Sequence, residues 1–241
     1  MMAAHRLCGL LLVVAALVVA GCGTPERGRA PDTVSFAREC EQRVPEGKVS
    51  VHTVPVRPKL DESQSYQELT RMAGEDGRRW VLGLTRPTLR VEARWGFTGI
   101  SDRRSGRACV RPSLEMTLRY EPVLVYIGRE FVADRCAYHF IRTHEQRHVD
   151  VHVRRLQEVA MQLEGDLRLR LAGVTHLGPR DELESKLKAE VKDYWIPRAE
   201  AALQDVKRQH AAIDTPEEYA RSRSVCGGSI ARFLPKHAHA D

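Results

Sequence analysis

The sequence predicts an α+β domain: a small antiparallel β-sheet followed by a long two-helix hairpin. Three observations predict it. Between Val49 and Gly128, short runs rich in Val, Leu, Trp and Tyr are separated by Arg-Pro or Gly-Arg-Ser clusters, as strands with short connections are. From Cys136 the apolar residues recur every three or four positions, the period of an amphipathic helix. Roughly 200 residues follow the N-terminal leader, enough for one sizeable core and not two.

Met1 to Ala20 reads as an export signal. His5 and Arg6 give a short positive start, and Leu7 to Ala20 is apolar but shorter than the ~20 residues of a membrane span. It ends in Val19-Ala20-Gly21-Cys22, which looks like a bacterial lipobox. Residues 1–21 are therefore expected to be a lipoprotein signal peptide, with Cys22 the acylated end that anchors the chain to the membrane. Residues 22–34, rich in Gly, Pro and charge, read as a lipidated tether. One domain is expected over 35–230 and a flexible tail over 231–241, in which His237 and His239 are frayed-end residues. The expected location is the cell envelope, on the periplasmic or outer-membrane side.

Lysine and arginine number 38 against 32 acids, a formal net charge of +6 spread along the chain. On an exported protein a diffuse excess is a solvated surface, and nucleic acid is not expected as a partner. Arg103, Arg104 and Arg107 read as an exposed connecting loop. Cys8 leaves with the signal and Cys22 takes lipid. Cys40, Cys109, Cys136 and Cys226 then suit two disulfides in an oxidising compartment. Cys109–Cys136, flanking the strand region, and Cys40–Cys226, tying the ends of the domain, are the expected pairs.

Taken in order, residues 49–55 alternate as a half-buried strand, and residues 63–72 form a short helix with Leu69 and Met72 on one side. Residues 79–85, 89–98, 108–120 and 123–128 read as four strands of an antiparallel meander. Ala137, Ile141, His144, His148, His152, Leu156, Val159 and Leu163 lie on one helical stripe, which breaks between Gly173 and Pro179. A second stripe runs from Leu183 through Leu187 and Val191 to Val206, His210 and Ile213, with Pro197 expected to kink or restart the helix.

His144-Glu145-Gln146-Arg147-His148 is an HExxH motif on the first stripe. Residues four apart lie one turn apart on one face, so two imidazoles can converge on one ion. The glutamate beside the first histidine points about 100° round, where it reaches a water without ligating the metal. The spacing thus points to zinc held by His144 and His148, with Glu145 as general base.

With this motif, Tyr66-Gln67-Glu68-Leu69, Trp80, Trp95, Cys109, Cys136 and Ile213-Asp214, the chain from Val49 to Gly227 resembles a bacterial family of predicted secreted zinc-dependent proteases (domain of unknown function family 922). The resemblance implies a zincin-type metallopeptidase. One departure from the general zincin pattern is Arg147, charged where the middle motif positions are usually uncharged.

The third ligand stays open. The metzincin pattern needs a glycine and a histidine where this chain has Val151 and Arg154. His152 is about 12 Å along the helix from His144, too far for both to share one ion comfortably. A hairpin turning near residue 176 sets 144 opposite about 208, which favours His210, with Asp205, Asp214 or a glutamate such as Glu184 or Glu190 as alternatives. The expected activity is hydrolysis of a peptide or protein substrate by an envelope-anchored zinc peptidase. The alternative is a non-catalytic metal-binding or partner-binding lipoprotein, for which a closed four-ligand site would speak.

Overall fold

The computed structural model describes residues 33–75 and 79–235. The export signal, Cys22, the tether through residue 32 and residues 236–241 of the expected tail, with His237 and His239, lie outside the described residues; the tail's first five residues, 231–235, are described, and Ala231 and Arg232 belong to a short 3-10 turn. A helix that composition does not announce, α1 (Thr33–Arg43), opens the described chain and takes in the last two residues of the expected tether.

The sheet is mixed, not antiparallel. Strands β1 (Val49–Thr53) and β2 (Pro58–Asp61) come first. Helix α2 (Tyr66–Met72) follows, closed by a capping box in which Ser65 and Glu68 satisfy each other's backbone N–H groups. The four expected meander strands are two long ones, β3 (Gly83–Asp102) and β4 (Arg107–Ile127), of 20 and 21 residues, paired antiparallel. β1 and β2 lie end to end along the other side of β4, both parallel to it, and a short β5 (His176–Gly178) continues that row antiparallel. Alternation marks which face of a strand is buried; it says nothing about the direction of the neighbour.

Prolines that suggested breaks are accommodated inside the strands. Pro87 lies on β3, which pairs only with β4 among the described residues. Pro112 falls in the gap of β4 between the stretches paired to β5 and to β1. Leu114, two residues on, donates its N–H to Lys48, so the missing N–H of Pro112 faces that gap. Pro122 lies in a bulge where Glu121 and Pro122 sit opposite Thr88. The extra residue shifts the inward side chains of β4 from Leu114, Met116, Leu118 and Tyr120 to Val123, Val125 and Ile127. β3 keeps its alternation, which carries Gly83 and Thr85 to the inner face.

That face is covered by α3 (Arg135–Leu171), a helix of 37 residues or about 55 Å. It starts where the Asp134 carboxylate accepts from the N–H groups of Cys136 and Ala137. Its stripe buries Val149, Leu156, Leu163, Leu167 and Leu171 against β1 and β4, and Ile141 in a second cluster with Ile127 and Phe131. The return arm is not one helix opposite the motif. It consists of α4 (Arg180–Glu190), a π-turn at Val191–Trp195 and α5 (Ile196–Gln204), with Pro197 in the first turn of α5 as a restart requires. Asp205 leaves helical geometry (φ −78°, ψ 64°), and α6 (Lys207–Ala211) and α7 (Pro216–Ser224) follow separately.

Both expected disulfide pairings are wrong. The bonds are Cys40–Cys109, tying α1 to the start of β4, and Cys136–Cys226, tying the start of α3 to the turn after α7. Cys109 lies near one end of β4 and Cys136 beyond the other, roughly 60 Å of strand away, which forbids their pairing. The two bonds suggest an oxidising, exported location. Among the described residues no helix is long and apolar enough to cross a membrane.

Candidate metal centre

Helical geometry brings the motif histidines together as the spacing predicts. The Nε2 atoms of His144 and His148 lie 3.1 Å apart. Asp214, in the turn after α6, places Oδ1 3.0 Å from the first and 3.1 Å from the second. These three donors form a nearly equilateral triangle, close to the ~3.3 Å separation of donors held 2.0–2.1 Å from a tetrahedral ion. Two imidazole nitrogens and a carboxylate oxygen suit a borderline divalent cation, and a triangle of three leaves a further coordination position. The residues present therefore fit a metal ion, as does the alternative set of His144, Glu145 and His148, whose ligand atoms all lie within 4.8 Å of one another.

The outer ring nitrogens are also engaged. His144 Nδ1 faces Glu218 Oε1 at 3.3 Å, and a proton there turns the Nε2 lone pair toward the triangle. Arg147 donates to Glu218 Oε1 and approaches His144 Nδ1 at 2.9 Å, so the charged residue inside the motif serves the same corner. Arg221 adds a second guanidinium on Glu218 at 2.9 Å. Glu218 is itself placed by the start of α7, where its N–H donates to Thr215 Oγ1 at 3.2 Å. His148 Nδ1 pairs with His210 Nδ1 at 2.8 Å.

Glu145 is buried, with 3 % of its surface exposed. Thr85 donates its hydroxyl to Oε2 at 2.8 Å, holding the carboxylate against β3. The space it fills exists because residue 83 is glycine: a Cβ there would meet Glu145 Oε1 and Ile141 Cγ2 at 2.7 Å each. A cleft of about 260 Å³ opens beside these groups. Its walls include Trp80, Leu82, Leu84, Phe140 and Tyr219.

Three carboxylates converge on the two imidazoles, and the electrostatics follow. Burial pulls His144 down, but its hydrogen bond to Asp214, with Glu145 and Glu218 nearby, outweighs this and holds it above the usual histidine range. Burial alone would raise Asp214, yet the bonds from His144 and His148 hold it well below the carboxylate range. Burial pushes Glu145 up, against the opposing pull of both histidines and Thr85. Burial, then His210 and His148, lower His152 to about 4.

Of the open third-ligand candidates, Asp214 completes the triangle. His210 stands behind His148, because the return arm breaks at Asp205 and the antiparallel register that favoured it does not form. His152 packs between Tyr120 and His210. Glu184 pairs with Arg180, and Glu190 with Arg170 and Trp195. Sequence reasoning missed Thr85 and Glu218. The Thr215-Pro216-Glu217-Glu218 capping pattern was a signal for the second; nothing local marks the first. Comparison with family models, curated proteins and solved structures returns no match, so this geometry stands as the basis for assigning a function.

Proposed function

We propose that the chain is an exported zinc-dependent peptidase in which His144, His148 and Asp214 hold the ion and Glu145 is the general base. The observation that carries this is the triangle of donors with a buried carboxylate beside it, held by the Thr85 hydroxyl. Zinc supplies, when bound, a water acidified to a pKa near 7 and a polarised carbonyl. Glu145 accepts the proton of the attacking water and passes it to the departing amine. Its burial raises its basicity for the first transfer. Thr85 holds one carboxylate oxygen, and the other lies beside Gly83, which with Glu145 lines the cleft. Glu218 and His210 fix the rings of His144 and His148.

The apolar cleft walls suit a large apolar side chain of a peptide substrate. The resemblance to the secreted zinc-dependent protease family implies the same class of reaction. The lipobox-like Val19-Ala20-Gly21-Cys22 supports lipid anchoring at the envelope. Metal analysis and a proteolysis assay test the reading together. The wild-type protein should carry one zinc, and Asp214→Ala should lose it. Glu145→Gln should keep the metal while proteolysis falls about 10²- to 10⁴-fold. A wild type without zinc, or a Glu145→Gln protein of undiminished activity, rejects the proposal.

A further inference from the structure

We propose that the Cys136–Cys226 disulfide is a latch that completes the metal site, so that the chain holds its metal tightly only after this bond has formed. The inference rests on the zinc reading above and adds a condition to it.

Asp214 and Glu218 sit on the stretch between two buried residues, Val206 and Ser222. None of residues 207–221 is buried and Ser222 is polar, so Val206 is the one buried apolar side chain at either end, with Ile213 and Tyr219 half-buried between. At the downstream end Cys226, two residues past α7, is bonded to Cys136 in the first turn of α3, with the Cα atoms 5.7 Å apart. Cys136 and His144 share one continuous helix, so the bond refers Asp214 and Glu218 to the element carrying the histidines.

A second anchor lies further on. Ile230 is buried with Phe131 and Ile141, and the Phe233 carbonyl accepts from the Tyr66 hydroxyl at 2.9 Å. Between it and α7, however, stand Gly227 and Gly228, both at positive φ (61° and 76°). Val225, on the α7 side of these glycines, packs against the same core, but neither it nor Ile230 is on α3; the disulfide alone ties this end of the stretch covalently to the helix that carries the histidines. With the disulfide open, a metal would have to order the whole stretch as it binds. With the disulfide closed, that ordering is already in place.

Closure is a balanced exchange. The thiols of Cys136 and Cys226 give up two protons and two electrons to a disulfide oxidant, RSSR, which leaves as two RSH. A reduced chain inside the cell therefore has two histidines and an unfixed third ligand, and tight metal binding follows export.

The test is zinc affinity by chelator competition on the wild type, Cys136→Ser/Cys226→Ser and Cys40→Ser/Cys109→Ser, with circular dichroism as the folding control. The latch variant should bind on the order of 10- to 100-fold more weakly, and the other pair should match the wild type. Equal affinity in all three overturns the latch while leaving the zinc site standing. A wild type that binds no zinc removes the zinc reading and the latch together.

A second measurement needs no folded cysteine variant. Linkage requires zinc to favour the closed Cys136–Cys226 bond by the same factor by which the bond favours zinc. In glutathione buffers, with thiols trapped and read by mass spectrometry, zinc should shift this pair toward disulfide and leave Cys40–Cys109 unmoved. The shift should vanish in Asp214→Ala. A Cys136–Cys226 ratio unchanged by zinc, or shifted toward thiols, overturns the proposal.

Discussion

Residue 83 has no side chain, and Glu145 and Ile141 occupy the place where one would go. Gly83→Ala should push the Glu145 carboxylate off its Thr85 partner while leaving His144, His148 and Asp214 in place. Activity should fall about 100-fold, the scale of an ångström of misplacement, with zinc content unchanged. Equal loss of zinc and activity would show that the glycine serves the whole site instead. His152 offers a pH test. Its folded-state value of about 4 lies below the ordinary ~6.5, so the unfolded chain binds the proton more readily. The stability that its neutral form contributes is complete above pH ~6.5 and is lost as pH falls toward 4. The loss is no more than about 3 kcal/mol. Urea unfolding with chelator present should show the wild type weakening more than His152→Leu between pH 7 and pH 4.5; parallel losses would count against this origin. At this scale His144, Glu145 and His148 were legible because their juxtaposition is set within one helical turn. Asp214 could only be one name among several, since nothing within a turn of the motif fixes where a residue 66 positions further on will lie.

At the scale of elements, the outer edge of β1 shows how α3 and the sheet are joined. Glu164 accepts the Val51 N–H at 3.0 Å, Arg168 donates to the Val49 carbonyl at 3.3 Å, and the two side chains pair at 2.8 Å. Helix side chains thus stand where another strand would be, which closes the edge. Glu164→Ala removes the acceptor of a part-buried N–H and should cost about 1 kcal/mol in urea unfolding. Glu164→Gln, which keeps an accepting oxygen, should recover most of it. If both variants behave alike, the charge pair rather than the edge bond is what matters. The bulge at Glu121–Pro122 is the other joint: it re-aims β4 while β3 continues in phase, and so Thr85 reaches Glu145. The strand content of this region was readable from its Val, Leu and aromatic runs. The fusion of four runs into two strands was not, because a proline ends a strand only where a neighbour needs its N–H, and neighbours are not a local property.

At the scale of the molecule, the two disulfides divide the work. Cys40–Cys109 fastens α1 to the sheet, away from the metal centre. With its cysteines 69 positions apart in sequence, its removal should lower the unfolding free energy by about 2–4 kcal/mol and leave metal binding intact. Denaturant titration of Cys40→Ser/Cys109→Ser with parallel zinc analysis checks both halves; loss of zinc there would mean that the site depends on the whole core. By itself the sequence determined the helical run of α3, the strand-rich character of the region before it, the four cysteines available for bonding and the two imidazoles with their neighbouring carboxylate. Each of these follows from periodicity or composition over a few residues. Only the tertiary structure decided the parallel partners of β4, the disulfide partners, and the arrival of Asp214, Glu218 and Thr85 around the histidines. Those depend on where chain segments dozens of residues apart come to rest, and that is settled by packing the whole core at once.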